Sequence, residues 1–136
     1  MNQTLLRNEN GQAAAEMALI LPILCAILLA IAQFGIAFNN YITLTDATRA
    51  GARKAAVSRF IGDNGASAVA AVRDAASNLK QSGADSLVVD ASPTSGNWNV
   101  PGSEIAVTAT YPYSIDILGW TIAGGNLTST TKERLE

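Results

Sequence analysis

The sequence has no histidine, one cysteine and few charged residues: 9 Lys and Arg against 11 Asp and Glu in 136 residues. Without histidine, the chain lacks the commonest general base and the middle member of a Ser-His-Asp triad. One cysteine excludes a disulfide framework, and the missing histidine disfavours most structural zinc sites. No clustered basic surface suggests a nucleic-acid partner. We therefore predict a protein that is not an enzyme and holds no metal or cofactor.

Charge is also missing from a long segment near the N-terminus. After Glu16 the next charged residue is Asp46, and 22 of the 26 residues from 13 to 38 are apolar. A helix needs about 20 mainly apolar residues to cross the hydrocarbon core of a bilayer. This pattern predicts a transmembrane helix over Met17–Phe38. A buried core helix rarely reaches this length without a charge, and a secretory signal normally has a shorter apolar region and an A-x-A site.

A few other residues interrupt the apolar segment. Pro22 lacks a backbone donor for the Ala18 carbonyl, so we predict a helix kink there. Gln33 lies about 32 Å along the helix from Gln12, which places its amide near the far membrane interface. Cys25 has no partner in the chain, and we interpret it as a packing residue.

The helix is expected to continue beyond the membrane over residues 39–60. Ala47, Gly51 and Ala55 recur at intervals of four and form a ridge of small side chains, which permits close packing. Two interpretations remain: the ridge covers the chain's own C-terminal sheet, which we favour, or it forms a seam between subunits. Gly35 is a further small residue among the helix-packing candidates.

The rest of the chain, residues 61–136, predicts a small α+β domain. A break at 61–65 precedes a helical pattern over 66–81, with Ser67 as cap and Gly83 as stop. The later expectations are a short strand at 87–89, a loop at 92–103, a half-buried strand from 105 to 111, a turn at 124–126 and a last strand at 127–135. We interpret Trp98 and Trp120 as core or loop packing residues rather than adhesive aromatics.

The start of the apolar segment carries a more specific pattern. Gly11 is followed five residues later by Glu16, directly before the apolar helix. This spacing resembles the prepilin peptidase site of type IV pilin-like proteins. The resemblance implies cleavage between Gly11 and Gln12, and a role for Glu16 in assembly, where it meets the N-terminal amine of a neighbouring subunit. A pair between Gln12 and Glu16 in one helix is equally compatible with the sequence.

Longer segments narrow the resemblance to TadE-like proteins, the minor pilins of the tight-adherence (Flp) pilus. The similar segments are residues 11–22, 33–38 and 47–53 and, more weakly, 105–112 and 130–136. Two residues depart from the family pattern: Met17 stands where an aromatic residue is common, and the first mature residue would be Gln12 instead of Phe. An N-terminal Gln can cyclise, which would remove the amine.

The resemblance implies a complete plan for the chain. Residues 1–11 would be a cleavable leader, 12–38 the transmembrane half of the helix, 39–60 its extension, and 61–136 the α+β domain. The implied fold is pilin-like, with the long helix packed on a small antiparallel sheet and one additional helix. The implied function is a processed minor pilin or pseudopilin, with the prepilin peptidase, other pilins, the pilus assembly platform and membrane lipid as partners, and with a homo- or hetero-oligomer allowed. The alternative is an unprocessed single-pass component of an envelope or secretion complex.

Membrane orientation is the one point of conflict. The positive-inside rule compares Lys and Arg near the two ends of the helix. The leader has only Arg7, whereas Arg49, Arg53, Lys54 and Arg59 follow the helix, which would place the C-terminal domain in the cytoplasm. The resemblance implies the opposite: a cytoplasmic N-terminus in the bacterial inner membrane and a periplasmic or extracellular domain. We favour the latter because the cleavage pattern is more specific than a charge bias.

Overall fold

The computed structural model describes residues 9–58, 62–117 and 119–136, and the side chains of 9 and 10 fall outside this description. Most of the predicted leader, together with Arg59 and Phe60, therefore lies outside the described residues. The elements are α1 (Glu9–Val57), α2 (Ala66–Ala75), β1 (Val88–Ser95), β2 (Glu104–Ile117) and β3 (Trp120–Arg134). This is the predicted α+β fold, with a long N-terminal helix, one more helix and a small antiparallel sheet.

Helix α1 has two halves with different surroundings. It runs as one element of 49 residues through Pro22. Its apolar residues are mostly exposed up to Phe38, whereas Leu44, Ala47, Ala52 and Ala55 are fully buried. Since buried apolar residues in the second half recur at helical spacing, that half presents one face to the rest of the protein.

The three strands form a simple antiparallel meander in the order β1-β2-β3. Ile105, Val107 and Ala109 are fully buried at alternate positions of β2, as their alternation in the sequence predicts. The intervening Thr108 bonds Thr130 of β3 through the two hydroxyl groups, 2.9 Å apart, on the exposed face. The sheet therefore has one apolar face, which packs on α1.

The hairpin of β2 and β3 corrects two sequence expectations, the turn at 124–126 and the start of the last strand at 127. Gly124, Gly125 and Asn126, predicted as a turn, lie inside β3 opposite Pro112–Ser114. The strands continue pairing to Ile117 and Trp120, so the connection includes Gly119, whose φ of +86° suits glycine. The turn prediction was wrong because paired strands on a common helix override the local turn propensity of two glycines.

Strand β1 is longer than predicted and includes the first part of the expected loop. The pairing of Pro93 with Ile105 lies within the ladder of β1 and β2. Because β1 is an edge strand, a proline there need not remove a ladder hydrogen bond. The loop prediction over 92–103 was therefore wrong for residues 92–95.

Helix α2 is shorter than its sequence pattern suggests, and its capping differs. Ser67 does not cap it; instead the Asp63 carboxylate accepts hydrogen bonds from the backbone N–H groups of Gly65 at 3.1 Å and Ser67 at 2.8 Å. At the other end, the Gln81 side chain donates to the Ala76 carbonyl oxygen at 2.6 Å, and α2 ends at Ala75, six residues before the predicted end at 81. Both ends are thus satisfied by side chains from outside the helix.

Small residues allow α1 and α2 to approach closely. At Gly51, an added Cβ would meet the Val72 side chain and lie 3.1 Å from the Ala68 carbonyl oxygen. Beside this contact, the buried hydroxyl of Thr48 lies 3.1 Å from that of Ser129 and accepts a hydrogen bond from Thr131 at 3.1 Å. These contacts fix α1 against α2 on one side and β3 on the other.

We predict that Gly51→Ala destabilises the fold, because its Cβ has no room between the helices. Overpacking costs about 1–3 kcal/mol, and the gain in helix propensity offsets about 1 kcal/mol of that. Gly35→Ala is the matched control, since nothing lies within 4 Å of an added Cβ there. Denaturant unfolding of the full chain in detergent micelles, followed by circular dichroism, measures both. Equal stability of the two variants would contradict the close packing at Gly51.

We also predict an acid-sensitive cap on α2. Hydrogen bonds from Ser67 and Gly65 lower the pKa of the Asp63 carboxyl below its ordinary value of 3.8. The ionised carboxylate therefore stabilises the fold fully above about pH 4, and this contribution disappears as pH falls through the lower folded-state pKa. Asp63→Ala should lower the free energy of unfolding by about 0.5–2 kcal/mol at neutral pH.

Unfolding measured at neutral and acidic pH checks this expectation. The difference between the wild type and Asp63→Ala should shrink on acidification. Asp85→Asn is the control, because Asp85 is exposed and outside the capping contacts. A difference at Asp63 that stays constant with pH would show that its charge has no part in the cap.

Candidate functional site

The residues of the predicted processing site lie on the first turns of α1. Gly11, Gln12 and Glu16 are all exposed. The Gln12 side-chain amide donates to Glu16 Oε1 at 3.2 Å, one helical turn away. The uncut chain thus gives Glu16 a neutral partner within its own helix, and the carboxylate remains accessible to a cation from outside.

The apolar half of α1 is exposed along most of its length, and the β2–β3 hairpin reaches it only from Gln33 onward. Its most apolar part is entirely unburied, and α1 is long and apolar enough to cross a membrane from Gly11 onward. Large side chains are exposed on every side of the helix, among them those of Leu19, Ile20, Leu21 and Leu29. Exposure on all sides at this length fits a single membrane span better than a docking face on a soluble protein.

The predicted helix-packing residues fall into two groups. Ala47 and Ala55 are buried, and Gly51 contacts α2 and β2, so this ridge faces the chain's own domain. Gly35 instead lies where nothing approaches within 4 Å of an added Cβ. The helix continues without a break on both sides of Pro22, and the kink expected there stays a prediction.

Gln33 joins the end of the hairpin to α1. Its Oε1 accepts a hydrogen bond from the Asp116 backbone N–H at 2.6 Å, and its Nε2 donates to the Asp116 carbonyl oxygen. One side-chain amide thereby satisfies both backbone groups of one strand residue. The sequence predicted only an interfacial position for Gln33, because 83 residues separate it from its partner and no local pattern connects them.

The end of the hairpin carries a negative charge and exposed apolar residues. The Asp116 carboxylate accepts hydrogen bonds from Thr121 at 2.5 Å and Ser114 at 2.9 Å, which lower the pKa of that carboxyl below its usual value. Nearby, Trp120 is 80% exposed and Ile122 is 65% exposed. The core or loop packing predicted for Trp120 is wrong, whereas Trp98 packs against the core.

The remaining polar groups form structural contacts. Glu104 and Lys132 make an ion pair at 2.8 Å, and Lys132 lowers the pKa of the Glu104 carboxyl. Within the described parts of the chain, no three His, Cys, Asp or Glu residues lie close enough to hold a metal ion. The distinctive feature of the molecule is therefore the helix and the surfaces beside it.

The architecture defines a class of protein. The first half of the long helix is apolar and exposed. Its second half packs against a three-stranded antiparallel sheet and a second helix. A membrane-anchored, single-pass α+β protein of pilin-like form has this arrangement.

The family comparison supplies the particular assignment. A family model described as TadE-like protein matches residues 11–53, so the chain is similar to that family from Gly11 through most of α1. This confirms the resemblance predicted from the sequence for that segment. The sheet lies outside the match. No curated protein and no solved structure matches the chain.

We predict that Gln33→Leu releases the end of the hairpin, because the Asp116 N–H and carbonyl lose their partner. Removing such hydrogen bonds should speed local hydrogen exchange on the order of tenfold. Mass spectrometry of peptides from residues 113–122 measures the rate. Asn39→Ala, at an exposed position on the same helix, is the control. Unchanged exchange in Gln33→Leu would mean that the strands alone hold this end.

Proposed function

We propose that the protein is a minor pilin or pseudopilin that is made as a membrane precursor and cut by a prepilin peptidase between Gly11 and Gln12. Its role is structural and without catalysis, in the assembly of a tight-adherence (Flp) pilus. The observation that carries the proposal is the bare apolar half of α1. Its other half supports a folded domain, so the bare half can exchange lipid for neighbouring helices without unfolding that domain.

The acidic residue at the start of the helix supplies the proposed assembly contact. A carboxylate held in the middle of a membrane helix costs roughly 2.5–3.5 kcal/mol, and less near the interface. Cleavage would create an α-amine at Gln12, with an ordinary pKa of about 7.7–8.0. That amine on a neighbouring subunit would be a stronger partner for Glu16 than the neutral amide that contacts it in the uncut chain.

The proposed topology follows from the same site. Residues 1–11 would lie in the cytoplasm, 12–38 in the inner membrane, and 39–60 and 61–136 on the periplasmic or extracellular side. The proposed partners are the peptidase, other pilins and the pilus assembly platform.

Replacing the acid tests the assembly role. We expect Glu16→Ala to leave cleavage largely intact and to reduce pilus assembly, because the amine loses its partner. Glu16→Asp keeps the charge and should restore part of the assembly. Pili sheared from cells and probed for this subunit give the measurement. Pili formed at wild-type levels by Glu16→Ala cells would contradict the role of Glu16.

Intact mass tests processing directly. In membranes from cells with an active prepilin peptidase, the mass should correspond to a chain that begins at Gln12, and in cells without the peptidase residues 1–11 should remain. A mass that includes those residues in both strains would favour the alternative, an unprocessed anchored component of an envelope complex.

A further inference from the structure

We infer that the end of the β2–β3 hairpin, residues 116–117 and 119–122, inserts into the headgroup region of the membrane leaflet on the domain's side. The inference rests on the proposed transmembrane position of α1. It assigns a second membrane contact to the protein, made by the sheet. The hairpin end is defined as Asp116, Ile117 and Gly119–Ile122, and Trp120 is its main anchor.

The direction of the hairpin brings this end to the membrane. At the far end of the hairpin, the Glu136 backbone N–H contacts the Ala56 carbonyl oxygen, whereas Asp116 contacts Gln33. The 23 residues of helix between these contacts span about 35 Å, and the 12 residue steps of β2 from Glu104 to Asp116 span about 40 Å. Because the two lengths are similar, the hairpin runs along α1 towards its N-terminus.

The helix length sets the depth of the hairpin end. Gln33 lies about 32 Å from Gln12 along α1, close to the thickness of a hydrocarbon core of about 30 Å. With Gln12 at one interface, Gln33 and the Asp116 backbone lie at the other. Trp120 pairs with Ile117 one residue step beyond the Asp116–Thr121 pair, which places it farther towards the bilayer.

The exposed side chains suit the headgroup region. Tryptophan is enriched at membrane interfaces because its ring is apolar and its N–H is a donor. Trp120 is 80% exposed beside the exposed Ile122, and both would otherwise face water. The ionised Asp116 carboxylate, held by Thr121 and Ser114, opposes deeper entry into the hydrocarbon.

Continuity with the apolar helix favours lipid as the occupant. Phe34 is 66% exposed on α1 next to Gln33, so the apolar surface of the helix meets the hairpin end at one level. While α1 is in the bilayer, any group at that level faces lipid headgroups. A neighbouring pilin subunit on the hairpin end is the other occupant that the test distinguishes.

Tryptophan fluorescence of the full chain in vesicles of phosphatidylethanolamine and phosphatidylglycerol tests the inference. The vesicles carry nitroxide lipids labelled either near the headgroup or at the chain centre. The difference in emission between the wild type and Trp120→Phe gives the emission of Trp120, and Trp98→Phe gives that of Trp98 in the same way. We expect headgroup nitroxides to quench the emission of Trp120 and to leave that of Trp98 unchanged. Trp98 is the matched control because its ring covers Gly65 in the membrane-distal part of the domain.

A probe on the exposed Cys25 separates the two proposals. If chain-centre nitroxides quench this probe, the helix spans the membrane. If Trp120 is then unquenched by nitroxide lipids but quenched by iodide in the water, the proposed hairpin contact is overturned. Trp120 shielded from both lipid and iodide would also overturn it, in favour of a protein neighbour. A Cys25 probe outside the lipid would overturn both proposals.

Discussion

The domain depends on one helix face for its core. The buried apolar side chains form a single cluster, to which α1 contributes Leu44, Ala47, Ala52 and Ala55. The sheet has one apolar face and α2 is short, so neither could bury its apolar side chains without this helix. Three of the four contributions are alanines, and together with Gly51 they let the backbone of α1 approach both α2 and the sheet. The close approach explains how so small a domain can be stable on a helix whose other half is exposed.

The sequence was sufficient for features that repeat along the chain. Absence of charge and helical spacing predicted α1, and strict alternation predicted the buried face of β2. Features set by distant contacts could not be predicted in this way. The cap of α2 comes from Asp63 before the helix and from Gln81 after it, where the sequence favoured Ser67 and Gly83. The turn expected at 124–126 fell inside a strand because pairing with β2 determined where β3 begins.

The candidate sites differ in the same respect. Gly11, Gln12 and Glu16 form a local motif, which can be recognised by spacing alone. The contact of Gln33 with Asp116 joins positions 83 residues apart, and it uses both backbone groups of a strand residue, whose identity the sequence does not constrain. The exposure of Trp120 could not be predicted either. The sequence around an aromatic residue is compatible with a buried or an exposed position, and only the hairpin register shows that Trp120 is exposed.

The continuity of α1 fixes an angle as well as a length. Each residue turns an α-helix by about 100°, so the 17 steps from Glu16 to Gln33 leave the two side chains roughly 100° apart around the axis. Gln33 marks the side of the helix on which the hairpin lies. If Glu16 makes the proposed assembly contact, that contact also determines how the subunit's domain is oriented about the axis of α1. One residue inserted between them would turn the domain by about 100° relative to its neighbours while leaving both contacts chemically unchanged.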